Sequence, residues 1–140
     1  MEGSVANQHR ATEACRAVSA FFDAYRDRDV ERMVRLCGQN GTFRYVPMGA
    51  QGEGRLREEG KAVWSGLIEA FPDLTAELLD VRGQGNKTFA RGRLYGTGAG
   101  SGAAFERALW LAHEWRDGRL LWWRAFESEA EALSAAGLRE

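Results

Sequence analysis

The sequence predicts an α+β fold, with helices gathered on one face of a mostly antiparallel sheet. Three observations carry this. Apolar residues recur at helical spacing up to Pro72, with one short β-like run between them. From Leu74 onward the pattern changes to an alternation of period two. Third, Phe105 to Phe126, FERALWLAHEWRDGRLLWWRAF, reads as two long strands joined at Arg116-Asp117-Gly118-Arg119, since Asp-Gly between apolar runs is a strong hairpin signal. Trp110, Trp115, Trp122 and Trp123 lie in this hairpin, together with His113, the only histidine outside the N-terminal segment. So aromatic a hairpin is expected at the centre of a curved sheet, as one wall of a pocket.

The elements follow in order. Residues 1–10 read as a loose tail and 11–140 as a single domain. A first helix is expected from Ala11 to Arg26, with Val18, Phe21, Phe22 and Tyr25 on one face. Asp29 can cap a second helix from Val30 to about Cys37, ended by Gly38-Gln39-Asn40-Gly41. Thr42 to Val46 is short, β-branched and aromatic and stops at Pro47, as an edge strand would. After a loop over Gly49–Gly54, a third helix is expected from about Leu56 to Phe71, with Trp64, Leu67, Ile68 and Phe71 as its apolar face, stopped by Pro72. Strands Leu74–Val81 and Lys87–Thr97 follow, with Gly83-Gln84-Gly85-Asn86 between them. The run Gly96–Gly102 is a flexible loop; no P-loop lysine and no helix follow it, so it is no phosphate cradle. Ser128-Glu129-Ala130-Glu131 resembles a capping box for a C-terminal helix to about Ala136.

At 140 residues the chain can bury a sizeable core without disulfides or metals. Its formal net charge is −1, with acids and bases mixed along the chain, which argues against an electrostatic nucleic-acid or membrane surface. Cys15 and Cys37 fall in helical patterns, far from other ligand-type residues at metal spacing, and read as reduced core thiols of a cytoplasmic protein. No stretch approaches the length of a membrane span.

This order, with certain motifs, resembles the SnoaL-like polyketide cyclases of the nuclear-transport-factor-2-like superfamily. The matching pieces are Phe22-x-x-Tyr25-x-x-x-Asp29, Ala70-Phe71-Pro72-Asp73-Leu74, Arg91-x-x-x-x-Gly96-Thr97, Arg116-Asp117-Gly118-Arg119-Leu120 and Trp123-Arg124-x-Phe126. The resemblance implies a cone: a bent sheet wrapped around the N-terminal helices, with a deep apolar pocket, and a dimer. It settles no reaction, because the superfamily holds isomerases, cyclases, epoxide hydrolases, dehydratases and binding proteins. The usual carboxylate bases are missing from the matching positions. Ala125 follows Arg124 where epoxide hydrolase-like members keep an Asp, and Arg93 stands where their other Asp would be. Phe21 and Tyr45 align with the Tyr and Asp of isomerase-like members, and Trp122-Trp123-Arg124 stands in place of the late-strand His-Trp-Asp of SnoaL-like cyclases that use carbanion chemistry.

Candidate residues come from strand parity and from the resemblance. Parity puts Phe105, Arg107, Leu109, Leu111, His113 and Trp115 on the more apolar face, so His113 is expected inward as a general acid/base or as a core histidine. Glu114 falls outside by the same parity, and Glu127 stands at the strand end. Tyr45, inward with Phe43 by the resemblance, would donate to a developing oxyanion. Arg91 and Tyr95 share a face with Arg93; inward, they need an anion, outward they form a solvated stripe, and the resemblance places Arg91 inward. The expected lining is Phe21, Tyr25, Phe43, Trp64, Phe71, Leu109, Leu111, Trp115 and Trp123. Trp122 and Phe126 face the other way, toward a second copy in a homodimer or toward the tail helix.

The leading expectation is a small cofactor-independent enzyme acting on an apolar polyketide- or terpenoid-like intermediate by cyclisation, isomerisation or dehydration. The alternatives are a non-catalytic binding or dimerisation module and an epoxide hydrolase with relocated carboxylates. The first pair separate on whether His113 converges with a Tyr or Arg in one cavity or is walled off by Leu111 and Trp115.

Overall fold

The computed structural model describes residues 5–45, 54–97, 102 and 104–138; the side chains of residues 5–7, 9, 10 and 43–45 are outside the described set. Most of the expected loop at 49–54, all but Gly54, and most of the glycine-rich loop at 96–102 also lie outside it.

Helix α1 (Val5–Arg26) starts well before Ala11, and the face predicted from spacing is the buried one: Ala14, Val18, Phe21, Phe22 and Tyr25 all pack inward. Arg28, at φ 59°, breaks the chain direction, and its guanidinium donates to the carbonyls of Pro72 (3.0 Å) and Leu74 (2.8 Å). Helix α2 (Val30–Arg35) is capped as expected, with the Asp29 carboxylate accepting from Arg32 N at 3.0 Å, a cap worth ~1 kcal/mol.

Strand β1 (Cys37–Tyr45) corrects the expected stop at Gly38–Gly41 and the edge position. It runs parallel to β6 on one side and is flanked on the other by the two-residue β2 (Gly54–Arg55). The glycines serve close approach here, not a turn: a Cβ on Gly41 would meet Leu56 Cδ2 at 2.7 Å and the Leu120 and Leu121 carbonyl oxygens at 3.1 Å. The expected third helix divides into a π-helical turn, Leu56–Gly60, and α3 (Lys61–Ala70). Arg57 holds that turn to β1 by donating from Nε (3.1 Å) and Nη2 (2.9 Å) to the Cys37 carbonyl.

The remaining strands are β3 (Thr75–Gln84), β4 (Lys87–Thr97), β5 (Ala104–Arg116) and β6 (Arg119–Phe126), followed by α4 (Glu129–Ala135), which Ser128 caps by accepting from Glu131 N. They form one curved six-stranded sheet in the order β2-β1-β6-β5-β4-β3, antiparallel except at β1–β6. Asp117 (φ 51°) and Gly118 (φ 76°) turn the central hairpin with two positive φ angles, as its Asp-Gly pair predicts. A bulge follows, between Glu114 and Trp115 in the β5–β6 register. It pairs Trp115 with Leu120 and leaves Leu121 as the extra residue, so Leu120 is buried in the main core instead of alternating outward.

The main core lies between α1, α3 and the concave sheet face. A second, smaller cluster covers the convex face, where Ala132, Leu133 and Ala136 of the tail segment pack on Phe89 and Ala112 with Trp110, Trp122 and Phe126 around them. The tail helix therefore supplies the cover over Trp122 and Phe126 that a second copy was expected to give. Among the described residues, Leu79 (45% exposed) is the exposed large apolar side chain.

Candidate functional site

The concave face and the two helices enclose one apolar cavity. Helix α1 contributes Phe21, Phe22 and Tyr25; α3 contributes Trp64 and Leu67; the sheet contributes Ala76, Leu94, Leu109, Leu111 and Trp123. Trp64 stands edge-on to Phe21 and to Trp123, with ring centroids 5.0 Å apart at 75° and 6.3 Å apart at 73°. Such edge-to-face pairs satisfy the ring quadrupoles, and they also fill space. The cavity holds about 30 Å³, far below the roughly 300–1,000 Å³ usual for a drug-sized ligand. The expected deep pocket is a narrow one among the described residues. Among the described residues its lining carries one hydroxyl, that of Tyr25, and no carboxylate or imidazole.

His113 does not line that cavity. Its side chain points inward, as parity predicts, but lies buried with Trp115 (centroids 5.9 Å apart) and Trp123 (6.5 Å) around it. Nδ1 is 3.1 Å from Thr88 Oγ1, which sits opposite it in the β4–β5 register. Trp115 Nε1 donates to the same Oγ1 at 2.9 Å. An indole can only donate, so the hydroxyl accepts there and keeps its own proton and a second lone pair for the contact with Nδ1. Burial pushes His113 down to about 3, so the ring is neutral at physiological pH. This is a sealed structural network. Trp115, expected in the lining, stands behind the wall and borders a separate polar cleft of about 540 Å³ with Glu13, Asn86 and Asp117.

Arg91 and Tyr95 are not in the cavity either. The inward face of β4 is Thr88, Ala90, Gly92 and Leu94, and Phe22 packs against Gly92, where a Cβ would lie 3.1 Å from its ring. The arginine stripe therefore faces out. Arg93 donates to Glu77 (3.1 Å) and Glu106 (3.2 Å) and lies 4.2 Å over the Tyr95 ring. Tyr95 borders an open cleft at the strand ends, beside Asp73, whose carboxylate accepts from Thr97 N at 2.7 Å and is held below its usual range chiefly by that bond. Phe71 misses the lining and stacks on Phe105 at 4.5 Å. The side chains of Phe43 and Tyr45 lie outside the described residues; their backbones pair with Trp123 and Ala125. Glu114 is outside the cone, as expected, accepting from Trp122 Nε1 at 2.6 Å.

Phe21, Tyr25, Trp64, Leu109, Leu111 and Trp123 thus surround one space, and His113, Arg91 and Tyr95 do not join them. Sequence reasoning missed Phe22, Leu67, Ala76 and Leu94. Spacing could have found the first two, because Phe22 precedes Tyr25 by three residues and Leu67 follows Trp64 by three. Ala76 and Leu94 are register partners on adjacent strands, which the sequence does not show.

Among the described residues no group of three or more His, Cys, Asp or Glu side chains is placed to hold a metal ion. No helix is long and apolar enough to cross a membrane. No curated protein matches the sequence. Solved structures share the fold at low identity. IdmH from Streptomyces antibioticus, a candidate polyketide cyclase, superposes with a TM-score of 0.72 at 20% identity, over 89% of this chain and 99% of its own. A candidate SnoaL-like polyketide cyclase from Jannaschia sp. CCS1 gives 0.73 at 17% identity, over 100% and 99%. An LEH-like epoxide hydrolase from M. tuberculosis gives 0.69 at 16% identity, over 90% and 86%. The SnoaL-like domain matches residues 18–123, from the cavity face of α1 to the Trp123 wall of β6. Spanning most of the sequence and all the elements that enclose the cavity, that match makes this chain a member of the SnoaL-like domain family.

Proposed function

We propose that this chain is a cytoplasmic, cofactor-independent enzyme of secondary metabolism. It takes a largely apolar, polyketide- or terpenoid-like intermediate into the aromatic cavity and promotes its cyclisation, isomerisation or dehydration. The observation that supports this is the lining: ten side chains that are aromatic or aliphatic, with the Tyr25 hydroxyl as the one oxygen donor among them. Apolar walls can hold a flexible chain in a reactive conformer, and orientation alone can remove much of a barrier. Tyr25 would donate to a carbonyl oxygen as negative charge develops on it. His113, neutral and bonded to Thr88, has no proton-transfer part in this reading.

Mass spectrometry of protein purified from its native host tests the substrate class: an apolar polyketide- or terpenoid-like compound is expected, and a polar or charged one would overturn the reading. With such a compound in hand, Tyr25→Phe is expected to lower turnover by about 100-fold with binding little changed. Unaltered turnover would remove Tyr25 from the mechanism.

The lining favours a second reading, a carrier of the same class of compound without catalysis, because the described lining has no acid or base. A ligand recovered chemically unchanged after prolonged incubation would decide for it. Either reading includes a homodimer through the part of the convex face away from α4, where Leu79 stands at the β3 bulge beside the Arg91 register pair. A monomeric mass in sedimentation would rule that assembly out.

A further inference from the structure

The cavity is too small for the ligands its lining suits, and the largest fully buried side chain stands in its wall. Trp64 is the largest fully buried residue of the core and stands in the cavity wall with an edge toward Phe21 and an edge toward Trp123. Its six-membered ring rests on Gly60, the last residue of the π-helical turn. A Cβ there would meet Trp64 Cη2 at 2.7 Å, Cζ2 at 3.0 Å and Cζ3 at 3.1 Å. Real Cβ contacts are not that short, so only glycine seats the indole so far back. Leu56, fully buried at the start of the same turn, and Arg57, bonded to the Cys37 carbonyl, anchor the seat to β1. The π-helical turn joins β2 directly to the start of α3. Here it sets the backbone under a single indole.

We propose that Trp64, seated on Gly60, is the specificity-determining residue of the cavity and sets the upper size of the ligand it takes. The inference rests on the cavity being the ligand site. On the sheet side Ala76 is flanked by Leu94, and Gly92 is covered by Phe22, so neither offers comparable room. Removing the indole enlarges the space where α1, α3 and β6 meet. Adding a methyl at Gly60 pushes the ring toward the cavity and shrinks it.

The test compares two neutral fluorescent probes of different length, 1-aminonaphthalene and 1-aminoanthracene, by equilibrium titration against the wild-type chain, Trp64→Ala, Trp64→Phe and Gly60→Ala. The readout is the ratio of the two dissociation constants, which a general loss of stability does not move. Trp64→Ala is expected to shift the ratio toward the three-ring probe by about tenfold, and Trp64→Phe by a smaller factor in the same direction. Gly60→Ala is expected to shift it toward the two-ring probe. If Trp64→Ala does not fold, Trp64→Phe and Gly60→Ala still decide. An unchanged ratio in folded variants that bind both probes overturns the size-setting role and leaves the cavity as a ligand site. If neither probe binds to any of the proteins, the cavity reading fails, and this one with it.

Discussion

The two faces of the β4–β5–β6 sheet are built from similar residues and solve opposite problems. On the concave face aromatic rings meet one another edge-on, as Trp64 does with Phe21 and Trp123, and the polar groups of Thr88, His113 and Trp115 are closed into one hydrogen-bonded set. On the convex face each of three rings is capped by a guanidinium: Arg82 over Phe89 at 5.4 Å, Arg93 over Tyr95 at 4.2 Å and Arg124 over Trp122 at 4.8 Å. Arg93 and Arg124 thus cover rings on the convex face, and neither lines the cavity. Among the described residues the cavity lining keeps water out by having no charge to solvate, and the convex face meets water by putting charge over its rings.

The largest expected effect concerns the charge the concave face cannot hold. Above pH 6.5 His113 is neutral whether the chain is folded or not and contributes no pH dependence. Between 6.5 and about 3 the unfolded chain takes up a proton that the native ring refuses, so stability falls as pH falls. The full depression corresponds to ~5 kcal/mol at the acid end of that window. Urea unfolding between pH 7 and pH 4 should show this slope, and His113→Leu should flatten it even if that variant is less stable at pH 7. An equal slope in the variant would mean that carboxylates alone drive the acid transition.

Next in size is the hydroxyl that closes the network. Thr88→Val keeps the shape of the side chain and leaves both Trp115 Nε1 and His113 Nδ1 buried without their partner. The cost should be about 2–4 kcal/mol, because orphaned buried groups lose their full solvation. Thr88→Ser, which restores the hydroxyl, should recover most of the urea midpoint. If Thr88→Val is neutral, the network is ornamental and the packing around Phe89 and Ala112 carries this part of the sheet.

Much of this was legible in the residues. Period and capping located α1, α2, α4 and the four-strand meander, because Val18-Phe21-Phe22-Tyr25, Asp29 and Ser128 act locally, within one or two turns of chain. What stayed hidden depends on contacts between distant segments. Gly38–Gly41 carries turn chemistry and forms a strand, since β6 and Leu56 approach too closely for side chains. The alternation along β4 was clear but its sense was not. Ala90 and Gly92 carry almost no hydrophobic signal, so nothing outweighed the family resemblance that turned Arg91 inward. Parity did orient His113 correctly, yet no pattern of period two could say that the cavity would be lined by Leu111 and Trp123 and not by it, or that Thr88 would meet it from the next strand.

The smallest effects belong to the convex arginines, and they separate the two faces most directly. Arg93 sits between Glu77 and Glu106 with all three side chains exposed to solvent in part, a geometry in which ion pairs add little and are screened by salt. Arg93→Ala should lower the thermal midpoint slightly in dilute buffer and by less in strong salt. Arg91 lies on the same outer face, across from Trp110 in the β4–β5 register, so it has no line of contact with the cavity. Arg91→Ala should leave the affinity for 1-aminonaphthalene within about twofold of the wild-type value, as expected for a residue outside the contact surface. A larger loss would mean that Arg91 reaches the ligand after all, and with it that the convex face contributes a charge to the site which the concave face is built to exclude.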